Sequence, residues 1–192
     1  MNHFYQNIHG WFDFQKTYTK MVNQHGDGAH FVEIGTFLGR SLSYLAVEII
    51  NSGKNIRLDA VDTWEGSPLE PFQQEQNEVM NKTLYDDFLK NIEPVKNHIN
   101  VVKSDSVEAS KLYEDESLDF IFIDASHHYE FVKADIQAWY PKLKKGGYIG
   151  GHDYDPPSRT PNGIHGVFQA VNEIFPGDFD VVDEVSWIHL KK

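Results

Sequence analysis

The stretch 118–155 is the part of the sequence that most limits the possible folds. It opens on an almost unbroken apolar run, 118–123, that ends in a carboxylate, Asp124. Apolar residues then recur at Tyr129, Val132, Ile136 and Trp139, the spacing of one buried helix face. Pro141 disfavours helix at the residue before it, so the helix should end near Tyr140. Gly146 and Gly147 turn the chain into a second apolar strand, 148–151, which also ends in polar groups, His152 and Asp153. Two neighbouring parallel strands of this kind present Asp124, His127, His152 and Asp153 at one sheet edge. In open α/β sheets ligands bind there, outside the carboxyl ends of the strands. Any one of the four alone reads as an ordinary strand end facing water. Four at adjacent strand ends point to a site.

The same alternation continues on both sides. A first strand, 31–34, runs into a turn from Gly35 to Ser41 and a helix with Leu42, Leu45, Ala46, Ile49 and Ile50 on one face. Glycine at such a turn lets a ligand approach the backbone, and the helix start offers free N–H groups to a carboxylate or phosphate. By itself the turn is a weak motif, since it lacks the GxGxxG of dinucleotide binders. The next strand, 56–61, ends at Asp62, placed to accept hydrogen bonds from a ribose diol, about twenty residues past a glycine turn being the usual spacing. The polar connection 67–94 should carry helix through Val79, Leu84, Phe88, Leu89 and Ile92, with a lid-like front at 68–77. A third strand, 98–102, leads to Asp105 and Ser106 at the same edge. Beyond Asp155 the sequence predicts a turn-rich loop with Arg159 and His165, a helix over 164–175, and two strands, 179–182 and 186–190, joined as an antiparallel hairpin. Residues 1–30 read as a helical cover, with Phe14, Tyr18, Met21 and Val22 on its inner side. Trp11 and Phe12 are read as packing on the sheet in preference to walling a pocket.

Composition narrows the function. With 29 acidic against 17 basic residues and a net charge of −12, a broad nucleic-acid footprint is disfavoured. The 192 residues suit one domain, 1–192. Without cysteine there is no thiol chemistry. No signal-peptide pattern and no membrane-length apolar run is visible, so a soluble, cytoplasmic protein is expected, as monomer or homo-oligomer, acting on a small molecule and not on nucleic acid or membrane.

The order of elements and the motifs resemble class I S-adenosylmethionine-dependent methyltransferases over nearly the whole chain. The stretch from Val32 to Ser41 looks like the first motif of catechol-type O-methyltransferases. Phe122 to His128 and Gly151 to Asp153 look like the macrocin-type sugar O-methyltransferases. The resemblance implies an α/β fold: a Rossmann-like, mostly parallel seven-stranded sheet with helices on both faces and an antiparallel C-terminal hairpin. It implies that Glu33, Gly35 and Ser41 hold the methionine end of S-adenosyl-L-methionine, that Asp62 takes the ribose, and that Asp105 and Ser106 border the adenine with Trp64 nearby. It also implies a divalent metal at Asp124 and at the pair after the fifth strand, His152 and Asp153. That pair is usually two oxygen ligands, and imidazole departs from what magnesium prefers. The sequence thus leaves open a magnesium or manganese site against a metal-free pocket. His127 matches the position of a histidine base in the macrocin-type group. Just past the strand end, and kept neutral by a helix N-terminus, it is expected to take the acceptor's proton. Two other functions compete: a nicotinamide-dependent oxidoreductase, opposed by the missing GxGxxG, and a non-catalytic nucleoside-binding module. Nucleic-acid methylation is disfavoured by charge and by Ser158 where an aromatic would follow Asp155, Pro156 and Pro157.

Overall fold

Seven strands, β1 (His30–Ile34), β2 (Arg57–Asp62), β3 (Ile99–Lys103), β4 (Leu118–Ile123), β5 (Leu143–Gly151), β6 (Asp180–Val182) and β7 (Ser186–Leu190), form one sheet in the order β3-β2-β1-β4-β5-β7-β6. This computed structural model describes residues 1–67, 69–160, 163 and 165–192. Strands β1 to β5 run parallel, and β7 pairs antiparallel with both β5 and β6. The strand order reverses between β1 and β4, which makes the crevice above their carboxyl ends the expected ligand position.

The parallel strands are apolar on both sides because both sides are covered. Phe120 and Phe122 of β4 pack in one cluster with α1 (Gln15–Gln24), α2 (Arg40–Ser52) and α5 (Leu84–Asn91). Ile121 and Ile123 point the other way, into a second cluster with α7 (Tyr129–Trp139) and α8 (Gly166–Ile174), as the two-residue strand period requires. Phe14, Tyr18, Met21 and Val22 join the first cluster and are buried.

Four elements differ from expectation. Strand β5 begins at Leu143, before the glycine pair, because a register shift between Leu118 and Phe120 of β4 takes up Gly146 and Gly147 without ending the strand. A short helix, α6 (Ser106–Ser110), follows β3, its first N–H groups capped by the Asp105 carboxyl, which accepts from Val107 N and Glu108 N. The front of the 67–94 connection holds two short helices, α3 (Pro71–Gln74) and α4 (Asn77–Met80). Pro68 and Ile164, at the expected starts of the lid and the last helix, lie outside the described residues.

Candidate active site

The backbone of β4 and β5 brings the four expected edge residues together. Asp124 N donates to Ile34 O at 2.8 Å and His152 N to Ile123 O at 3.2 Å, so the strand ends are zipped to each other. Gly35, at φ +83°, lies so close to β4 that a Cβ there would stand 2.1 Å from Asp124 O. The side chains then interlock. Asp153 Oδ2 lies 2.8 Å from His127 Nε2 and 3.1 Å from His152 Nδ1. His152 Nε2 reaches Asp13 Oδ1 at 2.7 Å, and its Nδ1 is 3.9 Å from Asp124 Oδ1. The other ring nitrogen of His127, Nδ1, faces Glu70 Oε2 at 3.4 Å.

These residues open on a cavity of about 300 Å³. Gly35, Thr36 and Ser41 of the β1–α2 turn form one wall and Asp124, His127, His152 and Asp153 the floor. Trp11, Phe12 and Asp13 cover it from the N-terminal segment, and Phe72 from α3. Trp11 and Phe72 meet edge to face at 5.9 Å, and the Phe72 ring lies parallel to His127 at 6.1 Å. Trp11 and Phe12 thus line the cavity, correcting the reading that they only pack on the sheet. Trp11 is 56 % exposed, and nothing in its local sequence distinguishes a pocket wall from a packed aromatic. Arg40, Phe72 and Glu70 were not read as site residues at all. Two buried atoms of cavity-lining residues, Thr36 Oγ1 and Arg40 Nε, have no partner.

Charge is unevenly distributed over the floor. Burial works against ionised Asp153, but hydrogen bonds from His127 and His152 outweigh it and hold this carboxyl well below the usual range. Burial pushes Asp124 up to about 6, with His152 lowering it and Asp153 raising it. Burial would lower both histidines, yet Asp153 lifts each of them to about 9, helped for His127 by Glu70 and Asp124 and for His152 by Asp124 and Asp13. His127 is therefore protonated at neutral pH in this arrangement, against the expectation of a neutral ring. The physical reason is that helix α7 starts only at Tyr129, with His128 as its N-cap, and two carboxyl groups flank His127 directly.

The remaining expected residues take other positions. Glu33 is fully buried beneath the turn, where Tyr18 Oη donates to one carboxyl oxygen at 2.9 Å and Ser41 Oγ to the other at 2.6 Å. Burial pushes its carboxyl up to about 8 against those two bonds. Asp62 accepts from Thr36 N, Phe37 N and Trp64 N at 2.7–2.9 Å, fixing the glycine turn from below. Trp64 is buried against Phe88, its indole N–H donating to Phe37 O. Asp105 caps α6, and Ser106 Oγ accepts from Trp139 Nε1. Asp62, Trp64, Asp105 and Ser106 do not line the cavity. Neither does Arg159, which reaches Glu184, or His165, whose Nδ1 meets Asp155 O.

One ligand atom from each of Asp124, His152 and Asp153 lies within 4.8 Å of the others. Two hard oxygens and an imidazole at that spacing fit a divalent cation, manganese better than magnesium by the imidazole.

A switch-point cavity at the glycine turn of a sheet with this order and hairpin defines a Rossmann-like fold of the S-adenosylmethionine-dependent methyltransferase class. The chain belongs to a methyltransferase-domain family, whose model matches residues 32–154. The O-methyltransferase NovP superposes with a TM-score of 0.68 at 14 % identity, over 93 % of this chain and 79 % of that one. CalS11, a calicheamicin methyltransferase, gives 0.63 at 18 %, over 92 % and 76 %. At such identities the likeness is one of fold. Two curated relatives, the uncharacterized proteins y4gI of Sinorhizobium fredii and R132 of Acanthamoeba polyphaga mimivirus, are each 28 % identical, over 122 and 153 residues, or 64 % and 80 % of this chain. The chain spans 13 % and 64 % of their respective lengths.

Proposed function

We propose that the protein moves the methyl group of S-adenosyl-L-methionine to a hydroxyl of a small molecule, a sugar or a diol. The observation that carries this reading is the meeting of Asp124, His127 and Asp153 with the Gly35–Ser41 turn in one cavity. The amino-acid end of the cofactor fits that turn. Thr36 Oγ1 and Arg40 Nε, buried and unpartnered, are groups a ligand carboxylate would satisfy. Ser41 would orient this end, with Glu33 acting through it from beneath. Asp62 would take the ribose, and Asp105, Ser106 and Trp64 would lie on the adenine side.

The acceptor would lie under Trp11 and Phe72, whose rings cover the cavity with apolar surface. Its hydroxyl must lose a proton as it attacks the sulfonium methyl in line. In this reading the hydroxyl replaces Asp153 at His127 Nε2. As the anion that most raises its pKa leaves, the ring gives up its Nε2 proton to solvent, and the neutral ring then takes the hydroxyl proton at Nε2 while the S–CH3 bond breaks and S-adenosylhomocysteine departs. A divalent cation would be held by Asp124 and Asp153 with His152, and when bound it lowers the pKa of a hydroxyl and fixes its orientation. The test is incubation with methyl-labelled S-adenosylmethionine and either catechol or methyl glucoside, with products read by mass spectrometry. Label in an O-methyl product, reduced about 10²–10⁴-fold in His127→Gln, is the expected result. No labelled methyl group in either acceptor above a protein-free control, or equal transfer by His127→Gln, contradicts it.

A further inference from the structure

Glu70 is completely buried, yet no lysine or arginine is paired with it among the described residues. It stands at the N-cap position of α3 but makes no cap bond there, so holding that helix does not account for its carboxyl. Its contacts go to the site instead. Oε1 accepts from the backbone N–H of His127 at 2.7 Å and from Ser126 Oγ at 3.2 Å. Oε2, buried and without a hydrogen bond, faces His127 Nδ1 at 3.4 Å. The neighbouring Leu69 O meets His128 Nε2 at 3.1 Å. Helix α8 closes the opposite side of this loop, where a Cβ on Gly166 would lie 2.2 Å from His127 O. The loop is thus clamped, and one carboxyl group reaches both the backbone and the ring of the same histidine.

We propose that Glu70 is a positioning residue for His127: once Asp153 gives up its 2.8 Å contact with Nε2, Glu70 fixes the ring so that Nδ1–H points to Glu70 and Nε2 points into the cavity. The proposal rests on the methyl-transfer reading for the use made of Nε2, and on the geometry alone for the orientation. A carboxyl that accepts from one ring nitrogen leaves the lone pair of the neutral ring on the other. The 3.4 Å separation is the kind of long contact that tightens once a substrate is bound. A buried acid is expensive unless something compensates it, and holding the histidine gives this one a role.

The experiment is a long-range ¹H–¹⁵N correlation spectrum of the full chain labelled with ¹⁵N-histidine, at alkaline pH where the ring is neutral, with His127→Gln used to assign the signals. The spectrum is read in Asp153→Ala, which removes the carboxyl at Nε2, and there the proton should sit on Nδ1. With Glu70→Gln added, the amide oxygen can still accept from His127 N, but its NH₂ then faces Nδ1, and the proton should move to Nε2. Glu70→Gln alone should keep S-adenosylhomocysteine affinity, read by calorimetry, within twofold of wild type. A merely structural Glu70 would leave the tautomer alone. Asp153→Ala with the proton on Nε2, or the same tautomer with and without Glu70→Gln, would overturn the proposal. Failure of wild type to bind S-adenosylhomocysteine would instead count against methyl transfer and leave the tautomer result standing.

Discussion

Glu33, His127 and His152 each hold a proton more firmly folded than unfolded, and this sets a common pH dependence. Glu33 rises from 4.5 to about 8. Its contribution to stability is fully present below 4.5 and is lost as pH climbs through about 8. The two histidines rise from 6.5 to about 9, so theirs is present below 6.5 and lost through about 9. The melting temperature should therefore fall as pH goes from 6.5 to 9, and more gently in Glu33→Gln and in His127→Gln. A flat profile in wild type over that range, by scanning calorimetry, would contradict the assignment. Asp62 holds two backbone N–H groups of the turn, those of Thr36 and Phe37, so Asp62→Ala should weaken S-adenosylhomocysteine binding by ~1–3 kcal/mol. Unchanged affinity on titration would remove it from cofactor binding. Asp124, His127, His152 and Asp153 were legible because each sits within a few residues of an apolar strand end. Glu70 and Trp11 were not, because their places depend on contacts across 57 sequence positions in one case and on an N-terminal segment folded over the sheet in the other.

At the scale of elements, two glycines let the site close. Gly35 lies against the Asp124 backbone at φ +83°, and Gly166 lets α8 start against the His127–Tyr129 turn, 2.3 Å being the distance from its would-be Cβ to Tyr129 N. Gly35→Ala meets both a forbidden φ and backbone, and should cost about 2–4 kcal/mol by denaturant unfolding. Gly166→Ala should cost a similar amount and displace His127. Loss of less than ~1 kcal/mol in either would mean that the neighbouring backbone gives way. The strands β1 to β4 were readable from apolar runs alone. The start of β5 was not, since a bulge beside Leu118 lets the strand pass through a glycine pair that resembles a turn. Helix α6 carried a readable cap, Asp105 followed by Glu108, but five residues are too few to show periodicity. Helices α3 and α4 have four residues each and no apolar period; tertiary contacts such as that of Phe72 with Trp11 decide their placement.

Across the whole molecule, the order of strands and helices was legible from start to hairpin, because short connections and right-handed crossovers leave few ways to arrange such a chain. The N-terminal segment was legible as a cover but not as a part of the cavity. It is tied down by Asp13 to His152, by Tyr18 to Glu33 and by Thr17 to Asp183 beside the hairpin, three links from one segment to distant parts of the fold. Among the described residues no helix is long and apolar enough to cross a membrane. Manganese should bind the cluster of Asp124, His152 and Asp153, and Asp153→Asn should weaken it at least about tenfold; equal binding by the variant would place the ion elsewhere. The central claim is that the turn at Gly35 and the edge at Asp124 form a cofactor site of the methyltransferase class. Titration calorimetry with S-adenosylhomocysteine tests it most directly. Saturable binding at one per chain, weakened in Asp62→Ala and in Gly35→Ala, is the predicted result; no heat of binding from folded wild-type protein at millimolar ligand would contradict it.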